Sequence, residues 1–199
     1  MLFLIDYYEA PIYHGTTKEN CNKIKASKGF KCKHRPDHWL GDGIYFFVND
    51  YNAANWWAGC ACKRNNSNRK SVLKFNLKMK MLNLLDLDSN EDGFKFNQFI
   101  SDLKNSNVNV SLNNEDKNYI KQHPNRIQLV YRSKYIKLYC EEMSEVKAVK
   151  YTFSFKNKSR YYLNLIGLRN HETQLNIVDR SLINFNSMVE CWVLKVIDL

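Results

Sequence analysis

Three short segments bring together residue types that can do chemistry. Tyr13-His14-Gly15-Thr16 ends a hydrophobic run with an imidazole, a glycine and a hydroxyl. Trp39-Leu40-Gly41-Asp42-Gly43-Ile44-Tyr45-Phe46-Phe47 sets a phenol in an aromatic strand just after two glycines, and Ala53-Ala54-Asn55-Trp56-Trp57-Ala58 follows within ten residues. Glu172-Thr173-Gln174 spaces a carboxylate and a carboxamide two apart, so on a strand both project to the same side. The carboxylate can supply charge or take a proton; the amide can only hydrogen-bond. Taken singly, each has a plainer explanation: His14 as a strand-end histidine, Tyr45 as one core aromatic of Ile-Tyr-Phe-Phe, Glu172 as a solvated strand-edge residue.

Other clusters point elsewhere less well. Cys32, His34, His38, Cys60 and Cys62 could be gathered around zinc, but the spacing is irregular and C-x-C is weaker than paired C-x-x-C, so no metal is expected. The six cysteines read as free thiols. Asp86, Asp88, Glu91 and Asp92 are acidic without the spacing or the glycine of a calcium loop. Aromatic stripes near 151–162 suit sheet packing, while Lys156, Lys158 and Arg160 beside them could track phosphates.

The elements that must position these groups follow from pattern and punctuation. Residues 10–14 read as a strand. Thr17 is placed to cap a helix over Lys18–Ser27, and Gly29 to stop it. A polar loop over Lys31–Leu40 leads to a strand over Ile44–Val48. Asp50 can cap a second helix, and Arg64–Lys70 forms a basic loop. Ser71–Lys78 alternates as a half-buried strand. Asn83–Asp88 reads as a loop and Asp92–Leu103 as a helix. Asn105–Lys121 is polar with a helix after a variable loop, and Ile127–Tyr139 is mixed. Lys147–Phe155, Tyr161–Leu168, Thr173–Asp179 and Met188–Ile197 read as strands. Strands and helices at both ends predict an α+β fold with a mostly antiparallel, split sheet.

At 199 residues, with 44% hydrophobic residues, the chain fits one domain over 1–199 with a real core. The apolar opening Met1–Ile5 meets Asp6 at once, so neither a signal peptide nor a membrane span is expected, and the chain reads as cytoplasmic. A formal charge of +10 suits an anionic partner, nucleic acid above all, although the Lys- and Asn-rich composition could produce the same number without a binding face.

In order and spacing, the three segments resemble the His-Tyr-Glu branch of the ADP-ribosyltransferases, which holds diphtheria-toxin-like enzymes, poly(ADP-ribose) polymerases and small bacterial toxin domains. The resemblance is sharpest over 12–58, thinner over 172–179 and absent across 90–145. It implies an ADP-ribosyltransferase-like core that binds NAD+ as substrate and needs no metal. His14 would hydrogen-bond the adenosine ribose, Gly15 would bind the nicotinamide amide through its main chain, Thr16 would add a hydroxyl and Tyr45 would stack on the nicotinamide. Breaking the nicotinamide–ribose bond passes through an oxocarbenium-like state whose positive charge must be braced.

This sequence departs from that pattern where the family's catalytic Glu is expected, because Gln174 stands there. Glu172 then supplies the charge or activates the acceptor, while Gln174 holds the nicotinamide ribose. The departure favours transfer of single units over polymer synthesis. The reading is a mono-ADP-ribosyltransferase, a toxin or phage-defence effector acting on an RNA or DNA base, with an antitoxin protein as a further partner. The alternatives are a protein acceptor, a catalytically silent module binding NAD+ or ADP-ribose, and an interaction scaffold.

Overall fold

The computed structural model describes residues 6–155, 165–166 and 170–191. Among these residues seven strands form one sheet: β1 (Tyr7–Thr17), β2 (Ile44–Val48), β3 (Lys70–Lys80), β4 (Leu84–Asp86), β5 (Ala148–Phe155), β6 (Asn170–Ile177) and β7 (Val189–Cys191), in the order β4-β5-β6-β2-β1-β3-β7. All neighbours are antiparallel except β4 and β5. Among the described residues five α-helices accompany them: α1 (Lys18–Ser27), α2 (Tyr51–Arg64), α3 (Asn90–Asn105), α4 (Asn114–Gln122) and α5 (Ile127–Glu142). The fold is mixed α+β with an open sheet, and among the described residues no helix is long and apolar enough to cross a membrane.

Alternation along the strands divides the core. Ile12, Ile44, Phe46, Val48, Phe75, Ala148, Leu175 and Ile177 turn one face of the sheet towards Cys21 and Ile24 of α1, towards Phe30, and towards Ile183 in the turns before β7. The opposite face carries two clusters. Phe47 and Val72 pack on Ala54 and Ala58 of α2, and Val149 and Leu85 pack on Leu40 and on Ile136 and Tyr139 of α5. The residues of interest on β2 and β6 are thus sorted by parity.

The caps formed as the residue types dictate. Thr17 accepts from the Asn20 N–H at 3.2 Å, and Asp50 accepts from the Ala53 N–H at 2.8 Å. The first helix ends at Ser27 as expected, but Lys28 and not Gly29 takes the left-handed cap conformation, at φ 44°, and sends its N–H to the Ile24 carbonyl. The loop expected over 83–88 contains β4, too short to alternate and defined by its pairing with distant β5. The mixed stretch from Ile127 is a helix of four turns whose buried Val130, Ser133, Ile136 and Tyr139 are covered from more than one side, which blurs its period. The strand expected over 161–168 and Lys156, Lys158 and Arg160 lie largely or wholly outside the described residues, as does the end of the strand expected over 188–197.

Candidate functional site

The ladder between β1 and β2 comprises only Ile12↔Val48 and Tyr13↔Phe47, whereas β1 stays paired with β3 along its whole length and β2 pairs with β6 from Ile44↔Ile177 to Phe47↔Gln174. Beyond Tyr13 the two central strands therefore part. His14 spans the parting: its Nδ1 lies 2.9 Å from the Tyr45 carbonyl oxygen. Its ring packs edge-on against Phe30, with centroids 5.0 Å apart, and near Phe46 at 5.7 Å. Burial lowers the pKa of His14, opposed by the bond to Tyr45, so the ring is held neutral and Nδ1 carries the donated hydrogen. Nε2 makes no hydrogen bond among the described residues.

The Tyr45 side chain leaves β2 on the other face. Its hydroxyl accepts from the Leu40 N–H at 2.8 Å and donates to the Gly41 carbonyl at 2.9 Å. Burial raises the pKa of this phenol far out of the accessible range, so it remains a donor. His14 and Tyr45 are thus joined through the main chain and do not present their rings side by side. Thr16 shares the parity of His14 and is buried. Gly15 shares the parity of Tyr45, and its hydrogen faces α2: a Cβ there would come within 1.9 Å of the Ala54 carbonyl oxygen. That glycine is required by the helix, whatever else approaches its main chain.

Glu172 and Gln174 share a face, as the two-residue spacing predicts. Gln174 donates through Nε2 to Glu172 Oε1 and accepts at Oε1 from the Trp39 indole N–H at 2.8 Å. Gln174 is buried, opposite Phe47 on β2 and Tyr151 on β5. Burial raises the Glu172 pKa, the Gln174 bond opposes it, and Asp50 at the start of α2 adds to the rise. A partly buried carboxylate with one neutral donor is easily protonated, and basic once ionised.

Two tryptophans, to which the sequence alone assigns no role, lie at this site. The Trp39 indole lies edge-on between Tyr45 and Trp57, with centroids 6.1 and 6.0 Å away, and 5.9 Å from Phe153. Its position in the loop has visible causes. His38 Nδ1 and His34 Nδ1 lie 3.0 and 2.7 Å from the Asp42 carboxylate, and His34 Nε2 lies 3.4 Å from buried Asp116, which Lys134 also pairs. Burial alone would raise the Asp42 carboxyl, but the hydrogen bonds from His38 and His34 outweigh it and hold the pKa at about 2. Asn176 Nδ2 donates to the Leu40 carbonyl at 2.7 Å, and Gly41 makes the bend at φ 82°. The histidines considered for zinc are engaged here as partners of carboxylates.

The arrangement is an aromatic slot between Tyr45 and Trp57 that the Trp39 indole fills, floored by the Gln174 amide, with a carboxylate at its side and a neutral imidazole at the strand parting behind it. Such a slot takes a flat ring, here the protein's own indole, and its carboxylate can stabilise positive charge or accept a proton. No protein-family model matches the chain, and no solved structure matches it. A stretch of 53 residues is 38% identical to the uncharacterized protein MJ0359 of Methanocaldococcus jannaschii, covering 27% of this chain and 25% of that protein. The match therefore spans a quarter of the relative's length.

Proposed function

We propose that the chain is an NAD+-dependent mono-ADP-ribosyltransferase whose acceptor is a nucleic-acid base. The observation that carries this reading is the Glu172 carboxylate, held on the Gln174 amide beside the slot between Tyr45 and Trp57. The nicotinamide ring would take the place that the Trp39 indole fills, held edge-on between Tyr45 and Trp57 as the indole is. Gln174, freed of the indole N–H, would turn its carbonyl to a ribose hydroxyl. His14 Nε2 would reach the adenosine ribose through the parting of β1 and β2. The main chain of Gly15 and the Thr16 hydroxyl lie beside that parting.

The bond that breaks joins the nicotinamide nitrogen to the ribose C1′, and nicotinamide leaves with the electron pair. The acceptor nitrogen forms the new bond to C1′, and its proton passes to Glu172. Glu172 must be ionised for this, and its charge then braces the oxocarbenium-like state. No metal takes part in these steps. An effector of this kind in toxin–antitoxin or phage-defence settings would be neutralised by a dedicated antitoxin.

The test is incubation with labelled NAD+ and separated cellular RNA, DNA and protein. Release of nicotinamide with label on a nucleic-acid fraction is the expected result. Label on protein alone would move the acceptor to protein. Tight NAD+ binding without nicotinamide release would make the chain a silent binding module, the reading favoured by Gln174 standing where the family has glutamate.

A further inference from the structure

Helix α2 has a second aromatic side, turned away from the sheet. Trp56 is 63% exposed, its ring 5.8 Å from that of Trp57. One and two turns further on, Cys60 and Lys63 continue the same face, and the loop to β3 folds back beneath them. The result is a groove of about 410 Å³ lined by Trp56, Gly59, Lys63, Asn66, Asn68 and Lys70 among others, with no carboxylate in its wall among the described residues. Lys70 crosses its floor at Gly59, where an added Cβ would stand 3.3 Å from the ammonium.

The charges here are available. Among the described residues Lys63, Arg64 and Lys70 make no ion pair, and Arg64 lies over the Trp57 ring at 5.2 Å. Glu19 reaches the loop from α1, but it is taken up by the Ser67 hydroxyl at 2.9 Å and by Arg69 at 3.5 Å. Elsewhere the chain pairs its buried-side lysines with carboxylates, as Lys150 does with Asp86 and Asp88 and Lys134 with Asp116. The loop thus concentrates uncompensated cations and amides around one exposed indole.

We propose that this groove is a track for single-stranded nucleic acid, with phosphates on Lys63 and Lys70 and one base stacked on Trp56. Phosphate charge answers the lysines, the amides of Asn66 and Asn68 suit base edges and sugar oxygens, and an indole face accepts any base. A duplex keeps its bases stacked and cannot offer one to Trp56. As the acceptor track of a transferase the groove rests on the preceding reading, and it lies on the far side of the helix that carries Trp57 into the slot. Its binding does not require NAD+.

The experiment uses the full chain without NAD+ and measures fluorescence anisotropy of labelled oligo-U and oligo-dT of about twelve nucleotides, within the span one such site covers. Single strands are expected to bind with Trp56 quenching, and a duplex of the same length much more weakly. Trp56→Ala should weaken binding by about tenfold at unchanged salt dependence, because it removes stacking alone. Lys63→Glu/Lys70→Glu should weaken it further and lower the slope of log K against log salt by about 1.4, the share of two phosphates on a single strand. Circular dichroism checks that both variants are folded. Equal binding of duplex, or binding indifferent to both substitutions, overturns the proposal. Single-strand binding without nicotinamide release would sustain the groove and defeat the transferase; the reverse pair of results would do the opposite.

Discussion

Glu190 on β7 and Glu172 on β6 are both drawn back from water, yet their carboxyls are displaced in opposite directions. Glu190 receives Lys18 at 2.7 Å, Lys25 and the Ser71 hydroxyl at 2.7 Å, and although burial acts against it these partners hold its pKa at about 2. Glu172 receives one amide, and burial raises it. Both sit on a sheet of one chain with a large cationic excess. The difference lies in local supply: α1 brings two lysines to Glu190, whereas Trp39, Tyr45 and Phe153 surround the approach to Glu172. A compensated carboxylate ties β7 and α1 together, while an uncompensated one is left with free energy to spend on a ligand.

The comparison breaks most sharply at Glu172. Glu172→Gln should cut ADP-ribosyl transfer by about a hundredfold or more while leaving the thermal midpoint near that of the parent. An unchanged rate of nicotinamide release would return Glu172 to an ordinary strand residue. Glu190→Gln should do the reverse. It should lower stability by about 2 kcal/mol in urea unfolding, below the usual cost of breaking a buried pair because both lysines can rehydrate, and leave the turnover of folded protein intact.

Acid titration sharpens the same contrast. The Glu190 carboxyl is depressed, so its contribution to stability is complete above the ordinary value of 4.5 and is lost as pH falls towards about 2. The Glu172 carboxyl is raised, so its contribution is complete below 4.5 and lost as pH climbs through the folded-state value. Urea midpoints across the acid range should therefore flatten on opposite sides in the two Gln variants. If Glu172 takes the proton as proposed, the acid limb of transfer should lie above 4.5, since the carboxyl must ionise first. The smallest effect is expected at Trp39. Trp39→Ala empties the slot and should lower the KM for NAD+ by about threefold, as removal of a competing occupied state does; a rise in KM would mean that the indole helps to hold the ligand.

What the sequence disclosed followed the range of its signals. Thr17, Asp50 and the strand Ile44–Val48 are local events, set by a cap, a cap and an aromatic run after two glycines, and they form where the residue types place them. Glu172 and Gln174 share a face because a strand has a period of two. The helix from Ile127 escaped because it packs on α3, α4 and the sheet at once, as the contacts of Tyr139 with Phe96 and Phe99 and of Lys134 with Asp116 attest. Strand parity relates residues within β1 or within β2, but the register between them decides that His14 stands with Phe46 and away from the Tyr45 ring. Trp39 was visible in the motif without its placement, which is fixed by a hydrogen bond to Gln174, 135 positions later.

Gly15 has a further consequence. The helix α2 rests on bare main chain at that point, with Ala54 and Ala58 too near to admit even a methyl group. Trp57 stands on the inner flank of this helix and Trp56 on the outer. A single missing carbon therefore calibrates the width of both the inner slot and the outer groove, and a side chain at position 15 would detune the two together.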